Sequence, residues 1–299
     1  MDDLTTSPSL SSQLDSIPVP RQIIGPPGLP EAPVLVRETP VRRDLHRVLC
    51  ARVPITAYSP SDAVDHVLEL ARARRVGGTD VHLCNAYTLA LADQDRDYRD
   101  LLRKAGLNLA DGKSIAWVNK FAGMVDDDAD RVRGTDLFLD VVDQGQAQGV
   151  RHYLLGGSPE VVEKLRSELV RRFPKANIVG AESPPYRPLS EEESAEQRAR
   201  IASCEADIVW VGLGTPKQDH AVAELAQQLD VVAVAVGAAF DFIAGNKTEA
   251  PRWMQESGLE WAHRLGSEPR RLWKRYLFGN SRFVYAAFRY RHLQCTLVR

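Results

Sequence analysis

No stretch of the 299-residue chain approaches the ~18 consecutive apolar residues that a bilayer-spanning helix needs. Asp2 and Asp3 stand near the N-terminus and no apolar core follows them, so no secretory signal is expected there. Cys50, Cys84, Cys204 and Cys295 form no CxxC pair, and in a chain of this size they read as free thiols of a cytosolic protein. The seven histidines supply no HxxxH or HxxEH spacing, which argues against a zinc hydrolase, and "LLGGSPE" gives no GxSxG elbow. These absences place the chain among soluble proteins of the cytoplasmic side. Hydrophobic and charged contents of 44% and 26% agree with a globular class, long enough for one large or two ordinary domains. The net charge of -2 argues against general nucleic-acid binding, yet it hides an asymmetry. After Glu268 there is no acidic residue, while Arg270, Arg271, Lys274, Arg275, Arg282, Arg289, Arg291 and Arg299 follow.

Residues 1–50 are rich in Ser, Pro and Thr and lack apolar periodicity, which predicts a flexible tail. From Val53 the texture changes. Ser61-Asp62 reads as the cap of a helix carrying Val64, Val67, Leu68 and Ala71 at helical spacing. Short apolar runs then alternate with amphipathic helices at 81–85, 107–111, 151–157, 176–180, 207–214 and 231–237. Near-continuous apolar strands separated by helices predict an α/β fold, a parallel sheet covered on both faces. Ligands of such sheets sit beyond the carboxyl ends of the strands. Here those ends carry Asn85, Asp111, Gly156-Gly157, Gly212-x-Gly214, and Gly237 followed by Asp241.

The run "WVGLGTPKQD" (210–219) ends a strand in Gly-x-Gly and opens a helix. A dinucleotide fingerprint would need a third Gly where Lys217 stands, and the next strand ends at Gly237 rather than at an acidic residue. A nicotinamide enzyme is therefore disfavoured. What remains is a tight turn with backbone N–H groups facing an anion, Pro216 in the first turn, Lys217 as a point charge, and Gln218 with Asp219 to grip hydroxyls. The plain alternative is a turn and cap with polar surface residues. In "GLNLADGKS" (106–114) the spacing fails a phosphate-loop pattern. Its useful residue is Asp111 before Gly112, either a base for a hydroxyl or a cap of the following helix. "VDDDAD" (125–130) holds an Asp-x-Asp, read first as a solvated acidic loop and second as a metal pair. Gly134-Thr135-Asp136 binds hydroxyls or caps a helix. Near the C-terminus aromatic and basic residues interleave: Trp261, Trp273, Tyr276, Phe278, Phe283, Tyr285, Phe288 and Tyr290 among arginines. A packed helical hairpin, an amphipathic segment on an anionic bilayer, or a nucleic-acid surface would each use such a pattern, the last least in keeping with the acidic body.

Taken together the chain resembles the bacterial WecG/TagA/CpsF glycosyltransferase family. The resemblance rests on Asn85, "LADG" (109–112), "RVRGTDLF" (131–138), "LLGG" (154–157), "VGLGTPKQD" (211–219), "VGAAFDFIAG" (236–245) with Phe240 and Asp241, "AP" (250–251) and "GLEWAHRLGSEPRRLWKRYL" (258–277). It implies a Rossmann-like domain over 51–257 and a basic, membrane-proximal helical appendage over 258–299 that completes the active site. The implied activity is inverting hexosyl transfer from a UDP-sugar to an undecaprenyl-diphosphate-linked acceptor, without a metal cofactor, at the inner face of the cell membrane. N-acetylmannosamine, its uronic acid or a glucose-type sugar is the implied donor sugar, and self-association is allowed. Asp111 matches the proposed base, and Arg264, Arg271 and Arg275 match the arginines thought to close over the donor. Two departures are visible: Glu249 stands before "AP" where many members have a basic residue, and Asp219 replaces the commoner Glu. The alternative from another class is a non-catalytic nucleotide-sugar or lipid-binding module on the same scaffold.

Overall fold

The structure, a computed structural model, describes residues 46–73, 77–121, 129–290 and 296–298. Most of the expected N-terminal tail and Asp126, Asp127 and Asp128 of the acidic loop lie outside the described residues. The six apolar runs read from the sequence become β3 (Thr79–Cys84), β4 (Leu107–Ala110), β5 (Arg151–Gly156), β6 (Asn177–Glu182), β7 (Ile208–Gly212) and β8 (Val232–Ala235). They pair in parallel in the order β6-β5-β7-β8-β3-β4, each next strand reached through helical crossovers. Three strands were not legible: β1 (His46–Cys50), β2 (Val53–Thr56) and β9 (Thr296–Val298). β2 joins β4 in parallel, and β1 and β9 extend that edge antiparallel. The expected tail thus ends before His46 rather than at residue 50.

Strand alternation sorts the core into two sides of the sheet. Ile208, Trp210, Val232 and Val234 pack with α1 (Pro60–Arg72) and α5 (Gly134–Gly145), whereas Val209, Val211, Ala233 and Ala235 meet α7 (Glu191–Ser203) and α8 (Lys217–Gln228). Trp210 stacks on Phe138 at 4.4 Å between ring centroids, and its indole N–H donates to His152 Nδ1 at 3.2 Å. That acceptor role needs a neutral imidazole, and burial lowers the His152 pKa to about 4. The first helix starts two residues earlier than expected. Ser59 Oγ, not Ser61, accepts the Asp62 N–H, and Pro60 takes the first helical position.

The remaining helices are α2 (Ala86–Gln94), α3 (Arg96–Lys104), α4 (Lys113–Phe121), α6 (Pro159–Arg172), α9 (Ala239–Ile243), α10 (Arg252–Glu256), α11 (Glu260–Ser267) and α12 (Pro269–Arg289). The C-terminal region is less of an appendage than the sequence suggested. Phe283, Ala286 and Ala287 of α12 enter one core with Leu89, Ala90 and Ile115. Gly279 lets the helix approach α2 so closely that a Cβ there would lie 3.0 Å from the Tyr87 ring. No described helix is long and apolar enough to cross a membrane.

Candidate active site

Strand β5 leads through α6 to β6 on one side, whereas β7 leads through α8 to β8 on the other. The adjacent pair β5/β7 is therefore a point where the winding reverses, and sheets of this kind bind their ligands at the carboxyl end of such a point. Both strands end there in glycine. Gly156 has φ of +130°, and a Cβ on it would lie 2.6 Å from the Gly212 carbonyl oxygen. Gly157 N–H donates to the same Gly212 carbonyl at 3.2 Å, which ties the two turns together. Gly214 and Gly237 complete a rim of bare backbone with positive φ. Pro216 precedes α8 through a cis Thr215–Pro216 peptide, and Lys217 is exposed at the helix start. This arrangement suits close approach of an anion to backbone N–H groups.

Four of the expected site residues, Gln218, Asp219, Phe240 and Asn85, have structural contacts of their own. Gln218 is buried, and its Oε1 accepts the Gly214 N–H at 3.0 Å, so it shapes the turn. Asp219 is 1% exposed and has both oxygens engaged. His82 Nδ1 donates to Oδ1 at 3.0 Å, and the Tyr98 hydroxyl donates to Oδ2 at 2.9 Å. The reading of Asp219 as a grip for sugar hydroxyls is corrected: helical spacing with Val222 and Ala226 turns it to the core. Phe240 is also buried, its ring less than 3 Å from where a Gly212 Cβ would stand. Asn85 caps α2, its Oδ1 accepting from Tyr87 N–H at 3.0 Å and Thr88 N–H at 3.2 Å.

Asp111 stands at the end of β4, its N–H bonded to the Cys84 carbonyl at 2.7 Å. Gly112 follows at φ +129°. Asp111 is half-buried, protein crowds its carboxyl, and desolvation pushes its pKa up to about 6. The Glu260 charge adds to that rise, while Arg264, Arg131 and Arg133 oppose it. A carboxylate poised there is ionised at neutral pH and still basic enough to take a hydroxyl proton.

Around it lies an ion network that sequence reasoning did not assign. Glu260, from the first turn of α11, meets Arg131 at 3.2 Å and Arg133 at 3.6 Å. Arg133 also reaches Asp136 at 2.7 Å and Glu249 at 3.3 Å. The unusual Glu249 therefore neutralises an arginine of the site wall, and Asp136 is held in the same network beside the buried Thr135. A cavity of about 280 Å³ opens beyond this wall, lined by Lys113, Arg131, Arg133, Asp136 and Arg252 among others.

Arg264 and Arg275 differ from these arginines. Neither has an ion pair among the described residues. Arg264 lies over the Phe242 ring at 5.5 Å and Arg275 over the Tyr87 ring at 4.5 Å. Arg275 Nε is buried without a hydrogen-bond partner. Burial lowers the Arg275 pKa, and the neighbouring Arg264 charge lowers it further. Two like charges held close, one of them buried, are costly unless an anion joins them. Residues 48–295 match the model of the glycosyl transferase WecG/TagA/CpsF family.

The chain belongs to that family. In this glycosyltransferase the third expected arginine, Arg271, pairs with Glu268 at 2.5 Å. Lys247 links Glu268, at 3.4 Å, to Asp241, at 2.9 Å. Arg271 and Asp241 are thus joined in one surface ion chain that fastens α12 to α9. Among the described residues no three His, Cys, Asp or Glu side chains converge as metal ligands would. Asp130, the one described member of the expected Asp-x-Asp pair, donates its N–H to the Tyr58 carbonyl at 3.3 Å.

Proposed function

We propose that this glycosyltransferase moves a sugar, with inversion, from a UDP-sugar to a polyprenyl-diphosphate-linked acceptor, undecaprenyl in bacteria. Asp111 acts as base on the acceptor hydroxyl. The departing diphosphate is met by Arg264, Arg275 and the glycine rim. The observation that carries this reading is the pair of arginines that have no carboxylate partner among the described residues, beside a carboxylate of raised pKa. A leaving diphosphate gains negative charge as the glycosidic bond breaks, and preorganised cations stabilise that change most where water is scarce.

In this reading Arg264→Ala and Arg275→Ala each lower kcat/KM by about 100- to 1,000-fold and weaken UDP binding. Calorimetric titration with UDP and initial rates test this together. Unchanged UDP affinity in both variants would remove the arginines from the donor site. The mechanism uses no metal, and turnover is expected to persist in excess EDTA. Loss that Mn²⁺ restores would return a metal role to the loop containing Asp128 and Asp130.

The lipid-linked acceptor requires contact with a membrane, and α12 suits one. Leu272, Phe283 and Ala286 face the core, while Trp273, Leu277, Phe278, Val284 and Tyr285 are exposed. Arg270 and Lys274 flank them, with Lys274 Nζ 5.6 Å from the Trp273 ring centroid. A helix apolar on two faces and basic along the second is built to lie on an anionic leaflet. Each basic group near that surface contributes about 1 kcal/mol. Replacing Trp273, Leu277 and Phe278 by Ser is expected to release the protein from phosphatidylglycerol vesicles in flotation while melting stays unchanged. Undiminished flotation would assign these side chains to another partner.

A further inference from the structure

Three carboxylates converge on Arg133: Asp136 at 2.7 Å, Glu249 at 3.3 Å and Glu260 at 3.6 Å. Burial would lower the Arg133 pKa, yet Glu260, Asp136 and Glu249 hold it above the usual arginine value. Arg131 shares Glu260 at 3.2 Å, so two guanidinium groups meet three carboxylates. The cavity beyond this wall is no richer in cations. Lys113 and Arg252 share its lining with Asp130, Asp140 and Glu256. Asp140 has no ion partner among the described residues, and its pKa is raised by burial and by the charges of Asp136 and Asp143.

The wall stands beside the base. Arg131, Arg133 and Glu260 all act on the charge of Asp111, and Lys113 follows Asp111 by two residues. A sugar whose anomeric carbon lies between Asp111 and Arg264 rests its ring against these groups. Carboxylates accept from sugar hydroxyls and guanidinium N–H groups donate to them, which suits a neutral polyol. A carboxylate on the sugar would find Arg133 already neutralised and would meet Glu249, Asp136 and Glu260 as like charges. We propose that the transferred sugar is uncharged, and that Glu249 enforces this by keeping Arg133 from pairing with a sugar carboxylate. This rests on the UDP-sugar reading above and names the class of sugar within it.

The test measures transfer by the full chain and its variants from matched UDP-sugars that differ only in a hydroxymethyl or a carboxylate at C6. UDP-glucose is set against UDP-glucuronic acid, and each 2-acetamido sugar against its own uronic acid. For the neutral sugar that wild type transfers, kcat/KM is expected to exceed that of the matching uronic acid by about 100-fold or more. Glu249→Gln is expected to lower this ratio about 10-fold, and Glu249→Lys to lower it further. Added salt should narrow the ratio in wild type more than in Glu249→Gln, because it screens the repulsion that the variant has lost. Arg133 keeps Asp136 and Glu260 in both variants, so both should stay folded, as melting will show. Wild type that uses the uronic acid as readily as the neutral sugar, or a ratio unmoved in both variants, would overturn the inference and leave the sugar-transfer reading in place. Transfer from no UDP-sugar at all would overturn that reading and this inference with it.

Discussion

Asp111→Asn is expected to lower sugar transfer by about 100- to 10,000-fold while the protein melts no lower than wild type. The amide keeps the size of the carboxyl but cannot accept the hydroxyl proton. Its effect on stability follows from the pKa. The folded value is raised from 3.8 to about 6, so the folded state holds the proton more tightly across that window. Stability from this group is present below about pH 4 and is lost as pH rises through about 6. At neutral pH the ionised carboxylate therefore costs the fold about 1–3 kcal/mol, which the Asn variant regains. A base that strains its own fold is the usual signature of a site kept for chemistry. The wild-type rate should rise with pH through about 6 and then level, as the carboxylate forms. Loss of activity together with unfolding would assign Asp111 a packing role instead.

Asp219→Ala is expected to do the opposite: a large loss of stability, about 3–5 kcal/mol, measured by urea unfolding. His82 is fully buried between two carboxylates, donating from Nδ1 to Asp219 at 3.0 Å and from Nε2 to Asp80 at 2.9 Å. Both ring nitrogens need a proton for that, so the group is an imidazolium. Burial alone would lower its pKa, but the hydrogen bonds it donates to the two carboxylates outweigh that cost and push it up to about 9. The truncation leaves the imidazolium with one partner and orphans the Tyr98 hydroxyl. The linkage sign is reversed from that of Asp111. A histidine with a raised folded pKa stabilises fully below about pH 6.5, and the contribution fades as pH rises through about 9. Wild-type stability should thus fall by about 3 kcal/mol across that interval, and Asp219→Ala should show a smaller fall. A flat wild-type profile would contradict an ionised His82.

These two aspartates mark how far the sequence could be read. Strands β3 to β8 were legible because a strand buried on both faces is a near-continuous apolar run bounded by glycine. β1, β2 and β9 were not, since "HRVLC" and "VPIT" are short and interrupted by charge or proline, and β9 is only three residues long. Asp111 was legible as a carboxylate at a strand end. Asp219 was misread because a polar residue after a glycine turn suggests a ligand contact. The signal that would have corrected it was present: Asp219, Val222 and Ala226 share one helical face. Glu260 and the two arginines it binds are 127 to 129 positions apart in the chain, and no local spacing foretells such a meeting. Arg264 and Arg275 could be named from the family resemblance, but that neither meets a carboxylate among the described residues is a property of the folded site alone.

The account turns on Asp111 as the base of a sugar transfer. Its most direct test incubates wild type and Asp111→Asn with a panel of UDP-sugars and a polyprenyl-diphosphate-linked acceptor in EDTA, and weighs the products by mass spectrometry. The account predicts one hexose-type mass added to the acceptor with release of UDP by wild type, and no product within the same time from Asp111→Asn, although that variant still binds UDP. Equal product from both proteins, or none from wild type with any donor, would contradict it.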